Sequence, residues 1–145
     1  MNLTRRNARI LAMEALFSWE ISKIPEERLL QFLWVEDKKL QRYPETELIF
    51  PRLLISGTLE HIDEIDQKII SHLRGWEFSR INNVDKAILR FSIYSLMFQP
   101  DIPYSVVIDE AVNIAHDYGD DNSFKFVNGV LESIKNELYP AENTQ

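Results

Sequence analysis

The chain has 145 residues, with 23 acidic against 16 basic side chains, a formal net charge of −7 and no cysteine. This length suits one domain, or two small helical lobes sharing a core, and buries enough surface to fold without staples. The absence of cysteine excludes disulfides, thiolate metal sites and cysteine nucleophiles and suits a reducing cytoplasm, while the acidic balance leaves only a local patch for any anionic partner.

Residues 1–13 supply such a patch, with Arg5, Arg6 and Arg9 and no acid. Residues 101–145 are the opposite, with nine acids against Lys125 and Lys135. The apolar stretch after the arginines is broken by Glu14 and Glu20, so it reads neither as a signal peptide nor as a membrane span.

Nearly every segment repeats with the helical period of about 3.6 residues, and none alternates convincingly as a strand. The first helix is expected from Thr4, an N-cap candidate, to Ser22. Ile10, Met13, Phe17 and Ile21 form one stripe on it, and Ala8, Ala12, Ala15, Leu16 and Trp19 a second. After Pro25 a shorter helix is expected over 26–40, carrying Leu29, Leu30, Leu33 and Trp34. The pattern over 46–73 contains Pro51, where a missing backbone donor predicts a kink or boundary. Gly75-Trp76 ends it. Asn82 or Asn83 then caps a helix over 84–98, apolar nearly all round and therefore expected at the centre of a bundle. A helix over 104–118 stops at Gly119, a residue suited to the C′ position, and a last helix covers 123–138. About seven helices result, in a lobe over about 1–75 and a second over 76–140, with a frayed tail at 141–145.

The three arginines lie three and four residues apart, near one face of a helix. Cations in a first turn oppose the helix dipole, so their placement suggests another use, and phosphate binding is the obvious one. The bland alternative is a solvated basic end. The stretch Asn122–Gly129, NSFKFVNG, opens the last helix. Phe126 lies off the buried stripe beside Lys125, where it would stack a base while Lys125 meets phosphate; packing against a neighbouring helix is the alternative. Gly129 inside a helix costs about 1 kcal/mol against alanine and suggests close packing or approach of a ligand. Lys86 and Arg90, beside Asp85, read as an exposed polar strip or a partner-facing edge.

Catalytic patterns are weak. His61, His72 and His116 have no metal-ligand spacing, and four scattered glycines make no phosphate loop. Asp117, Asp120 and Asp121 lack the ligand order of a calcium loop. No residue nominates itself as nucleophile or base, so no enzyme activity, cofactor or metal is expected.

Three stretches carry a family resemblance: RRNARILAMEALFSWE, NNVDKAILRFSIYSL followed by DIPYSVVIDEAVNIA, and YGDDNSFKFVNGVL. Along nearly its whole length the chain resembles the NusB family of transcription antitermination factors. The resemblance implies an all-α fold of two packed helical subdomains. It implies binding of the boxA element of ribosomal leader RNA, together with the ribosomal protein NusE, in a complex that helps RNA polymerase resist termination. Position by position, it assigns RNA contact to Arg5, Arg6, Arg9, Asn122, Lys125 and Phe126. It puts Asp85 near the RNA and partner surface and Phe17 on the side facing NusE; Lys86 and Arg90 join them as partner-facing candidates. Related proteins occur as monomers or dimers, and a homodimer would cover the arginine face. Two departures stand out: Asn7 interrupts the arginine run, and the C-terminal third is strongly acidic. The alternatives are an adaptor with little RNA affinity of its own, and a relative of the RNA-binding domain of rRNA cytosine methyltransferases, which needs a catalytic domain after Gln145.

Overall fold

The computed structural model describes residues 2–140; the tail expected to fray, 141–145, lies outside the described residues. Helix α1 covers Arg5–Ser22. Thr4 caps it from an extended backbone, its hydroxyl accepting from the Asn7 N–H at 3.0 Å. Of the two expected stripes, the one with Ala8, Ala12, Ala15 and Leu16 enters the core, whereas Phe17 and Ile21 remain exposed. Small side chains on the inner face let α1 lie close against its neighbours.

A continuous helix over 26–40 does not form. Two single turns, α2 (Glu26–Leu29) and α3 (Asp37–Leu40), replace it. Between them Phe32 adopts φ 53° and is fully buried. Left-handed backbone at a bulky residue costs roughly 1–2 kcal/mol, which burial of the ring offsets. The chain therefore leaves the helical path there, and Leu33 and Trp34 end up exposed.

The expected break at Pro51 is also displaced. A 3₁₀ turn, Glu45–Leu48, leads into α4 (Ile49–Glu60) and then α5 (Ile62–Ser71), with the boundary at His61. Pro51 is the third residue of α4, where its missing N–H would have no intrahelical partner anyway. Gly57 in α4 faces Tyr94, and any Cβ there would overlap the tyrosine ring.

Helix α6 (Asn83–Phe98) is capped by Asn82, and every residue from Asp85 to Leu96 is buried. It packs against α1, α4, α5, α7 (Tyr104–Tyr118) and α8 (Ser123–Leu138), as its all-round apolarity predicts. Gly119 ends α7 with φ −89°, outside the left-handed region expected of it. Its value lies elsewhere: the Ser123 side chain occupies the space a Cβ would need. The buried apolar side chains form one connected core. Among the described residues there are eight α-helices and no strand; the count exceeds the expected seven because 26–40 divides. Among the described residues no helix is long and apolar enough to cross a membrane.

Candidate nucleic-acid interface

The start of α1 brings Arg5 and Arg9 over one ring. Their guanidinium groups lie 3.9 and 5.4 Å from the centroid of Phe50 on α4. Arg5 is exposed. Arg9, one turn further in, is only 4% exposed and sits 3.8 Å from Glu110 of α7. Burial lowers its proton affinity, Glu110 opposes that, and Arg5 adds to it. Arg6 pairs instead with Asp117 at the end of α7. The expected single arginine face is thus corrected. Helical spacing aligns Arg5 with Arg9, but α4 and α7 close over the inner one, leaving Arg5 and Arg6 at the surface.

At the start of α8, Lys125 is exposed and makes no ion pair among the described residues. Phe126 is half-buried, its ring 5.7 Å from Trp76 and tilted by 50°. Asn122 is exposed, and its side chain takes no part in capping. Its neighbours hold the turn instead: the Asp120 N–H donates to Ser123 Oγ at 2.9 Å, and the Asn122 N–H to Asp120 Oδ1 at 2.9 Å. No contact joins the arginines directly to Lys125 or Phe126. A row of side chains does connect them. Arg6 pairs with Asp117, Asp117 lies 3.4 Å from His116, His116 packs edge-on against Phe124 at 5.6 Å, and Lys125 reaches 5.9 Å from that ring. The two halves of the expected site therefore lie along one continuous surface.

Phe17 is exposed beside a shallow cleft whose other walls include Asn82, Val84, Tyr118 and Asp120. Asp85 lies buried beneath that cleft, bound to the cap: its N–H donates to Asn82 Oδ1 at 2.8 Å, and Asn82 Nδ2 donates to Asp85 Oδ2 at 3.1 Å. Burial pushes its carboxyl up from the ordinary range.

The exposed strip expected of Lys86 and Arg90 is interior instead, at 6% and 3% exposure. Arg90 forks onto Asp66 of α5 with two bonds of 2.9 Å and donates to Glu20 of α1 at 2.6 Å. Lys86 lies 4.0 Å from Glu20 and 4.7 Å from the Phe78 ring. Burial alone would lower the Arg90 proton affinity, but the two carboxylates outweigh it and raise it. The Glu20 carboxyl, though burial opposes this, is held below its ordinary range by Arg90, Lys86 and Lys23. These groups tie α1, α5 and α6 together and offer no free surface to a partner.

Sequence reasoning passed over two residues beside Phe126. Gly75, at φ 74°, turns the chain after α5 and projects Trp76 outward, 58% exposed, next to exposed Arg74. The Gly-Trp pair marked only a helix end; that it faces α8 depends on tertiary packing. No group of three or more His, Asp or Glu side chains among the described residues is arranged to hold a metal ion.

The model of the NusB family matches residues 6–136. The transcription antitermination protein NusB of Treponema pallidum (strain Nichols) is 56% identical over 133 residues, covering 90% of this chain and 91% of that protein. The structure of T. maritima NusB superimposes with a TM-score of 0.83 at 37% identity, covering 94% of each chain. A crystal structure of the antitermination factors NusB and NusE in complex with double-stranded RNA matches with a TM-score of 0.80 at 28% identity, covering 92% of this chain and 96% of that one.

Proposed function

The chain belongs to the NusB family, and from that premise we propose that it is an antitermination factor that binds boxA RNA of ribosomal leader transcripts together with NusE and helps RNA polymerase resist termination. The observation that carries this reading is the set of surface cations at the starts of α1 and α8, Arg5, Arg6 and Lys125, on a chain of net charge −7. Arg5 and Lys125 meet phosphates directly. Arg6 joins them by exchanging the exposed Asp117 carboxylate for a phosphate, an exchange that costs little because exposed ion pairs contribute at most about 1 kcal/mol. Arg9 acts through position: under Phe50 and beside Glu110, it supports the ring on which Arg5 rests. Asn122 offers a free amide at the start of α8, and Phe126 contributes its exposed edge to a base. The Phe17 cleft, held from below by Asp85 and its Asn82 cap, receives NusE.

A second reading, an adaptor that needs NusE for any RNA contact, draws on the internal pairing of Arg6 and Arg9. Titrating labelled boxA RNA with the protein alone and with NusE separates the two. RNA binding follows from binding by the free protein that NusE tightens. Binding only in the presence of NusE favours the adaptor, and no binding in either condition removes the proposal.

A further inference from the structure

The carboxylate that holds Arg6 has a second neighbour. Asp117 Oδ2 takes Arg6 Nη2, and Asp117 Oδ1 lies 3.4 Å from His116 Nδ1. His116 sits in the last turn of α7, where the helix dipole favours a cation, and its side chain is 70% exposed. The charged groups around it come from three elements. Asp117 is beside it on α7, Arg6 of α1 shares that carboxylate, and Lys125 of α8 lies 5.9 Å from Phe124, the ring against which His116 packs. In the turn between α7 and α8, Asp120 is engaged by the Asn122 N–H at 2.9 Å, Ser123 Oγ at 3.3 Å and Asn82 Nδ2 at 3.3 Å, and Asp121 makes no ion pair among the described residues. Of these residue types only histidine ordinarily changes charge between pH 5 and 8. The other two histidines are committed elsewhere: the His61 ring lies 4.0 Å from Phe98, and His72 lies between Ser133 and Glu137 at 2.7 and 2.8 Å.

We propose that His116 is a proton-operated release for Arg6: the charged histidine takes over the Asp117 carboxylate, and Arg6 passes to an RNA phosphate. The proposal rests on the RNA-binding reading above. With His116 neutral, Asp117 belongs to Arg6 alone, and the carboxylate stands in for the phosphate that the arginine would otherwise bind. Protonation puts a second cation on the same carboxylate, so Arg6 gives up less when it leaves. The new charge also adds to the local field that attracts a polyanion on an acidic chain. Linkage makes the effect reciprocal: bound RNA favours the charged histidine, binding takes up a proton, and affinity rises as pH falls. All three side chains are more than a third exposed, which keeps the effect to a few fold.

Two variants at the exposed histidine test this. BoxA RNA is titrated at constant ionic strength from pH 8 to pH 6, with NusE present, against wild type, His116→Gln and His116→Arg, and circular dichroism follows the fold at each pH. NusE and the RNA are common to all three, so their own titration cancels in the comparison. Wild type is expected to bind about three- to fivefold more tightly at pH 6 than at pH 8. His116→Gln should lose that gain, and His116→Arg should show it already at pH 8. A wild-type affinity that does not change with pH overturns the release and leaves the RNA-binding reading standing. So does a gain that His116→Gln keeps in full, or a His116→Arg variant that binds no more tightly at pH 8 than His116→Gln. Absence of RNA binding by the wild-type protein at every pH, with NusE and without it, removes the reading and the release together.

Discussion

Two pairs of basic residues in this chain share one spacing: Arg5 with Arg9 in α1, and Lys86 with Arg90 in α6. Both pairs occupy one helical face, as four-residue spacing requires. Their surroundings differ. The α6 pair is enclosed, with Arg90 shared between Asp66 and Glu20 and Lys86 beside Glu20. The α1 pair is enclosed only at Arg9, while Arg5 rests on Phe50 and neighbouring Arg6 holds one exposed carboxylate. Spacing therefore fixes a face, and distant elements decide whether it is covered. A buried arginine with matched acids is structural, whereas one at the tip is still available to a phosphate.

The contrast between the two pairs breaks most visibly at Arg90. Arg90→Ala leaves Asp66 and Glu20 facing each other without their shared cation, and should cost about 3–5 kcal/mol in urea denaturation. A loss below about 1 kcal/mol would put Arg90 in the same class as the tip residues.

Acid should act on the enclosed site next. The Glu20 carboxyl is lower in the folded state than its ordinary value of 4.5. Its contribution is therefore fully present above that value and is lost as pH falls through the folded value. Glu20→Gln is expected to be less stable than wild type near neutral pH and to lose less on acidification; denaturation midpoints across this range will show the two curves converging. Parallel curves would mean that Glu20 carries no acid-labile stability.

Effects at the tip should be smaller on the fold and larger on function. Arg6→Ala removes a pair whose partners are 37% and 47% exposed, so a thermal melt should register less than about 1 kcal/mol. Asp117→Asn frees Arg6 and removes an acid from its side. RNA affinity is expected to rise about two- to threefold, as measured by anisotropy at low salt. A fall in affinity would mean that Asp117 holds Arg6 in its binding position rather than competing for it.

Much of the fold was legible from periodicity and capping. Thr4, Asn82 and the apolar α6 gave α1 and the central helix with boundaries close to those found. The region 26–40 was not, because its helical pattern is overridden by Phe32, whose burial requires a left-handed backbone. Pro51 misled for a related reason: its effect depends on where the helix starts, and α4 begins just two residues earlier. Of the candidate site, local sequence singled out Lys125, Phe126 and the arginines, of which the structure leaves Lys125, Arg5 and Arg6 at the surface. It could not show that Arg9, Lys86 and Arg90 are enclosed, since Glu110, Glu20 and Asp66 lie on other helices. Nor could it bring Trp76 to Phe126, because one sits in a turn and the other on a helix far along the chain.

The central claim is that a local basic surface on an acidic protein binds RNA through its phosphates. The most direct test is the salt dependence of boxA affinity for wild type and for the double variant Arg5→Glu, Arg6→Glu. The variant should bind at least about tenfold more weakly, and its plot of log affinity against log salt should be shallower by about 0.7 for each phosphate that is no longer neutralised, with the fold intact. A folded double variant with wild-type affinity and an unchanged slope would contradict the account.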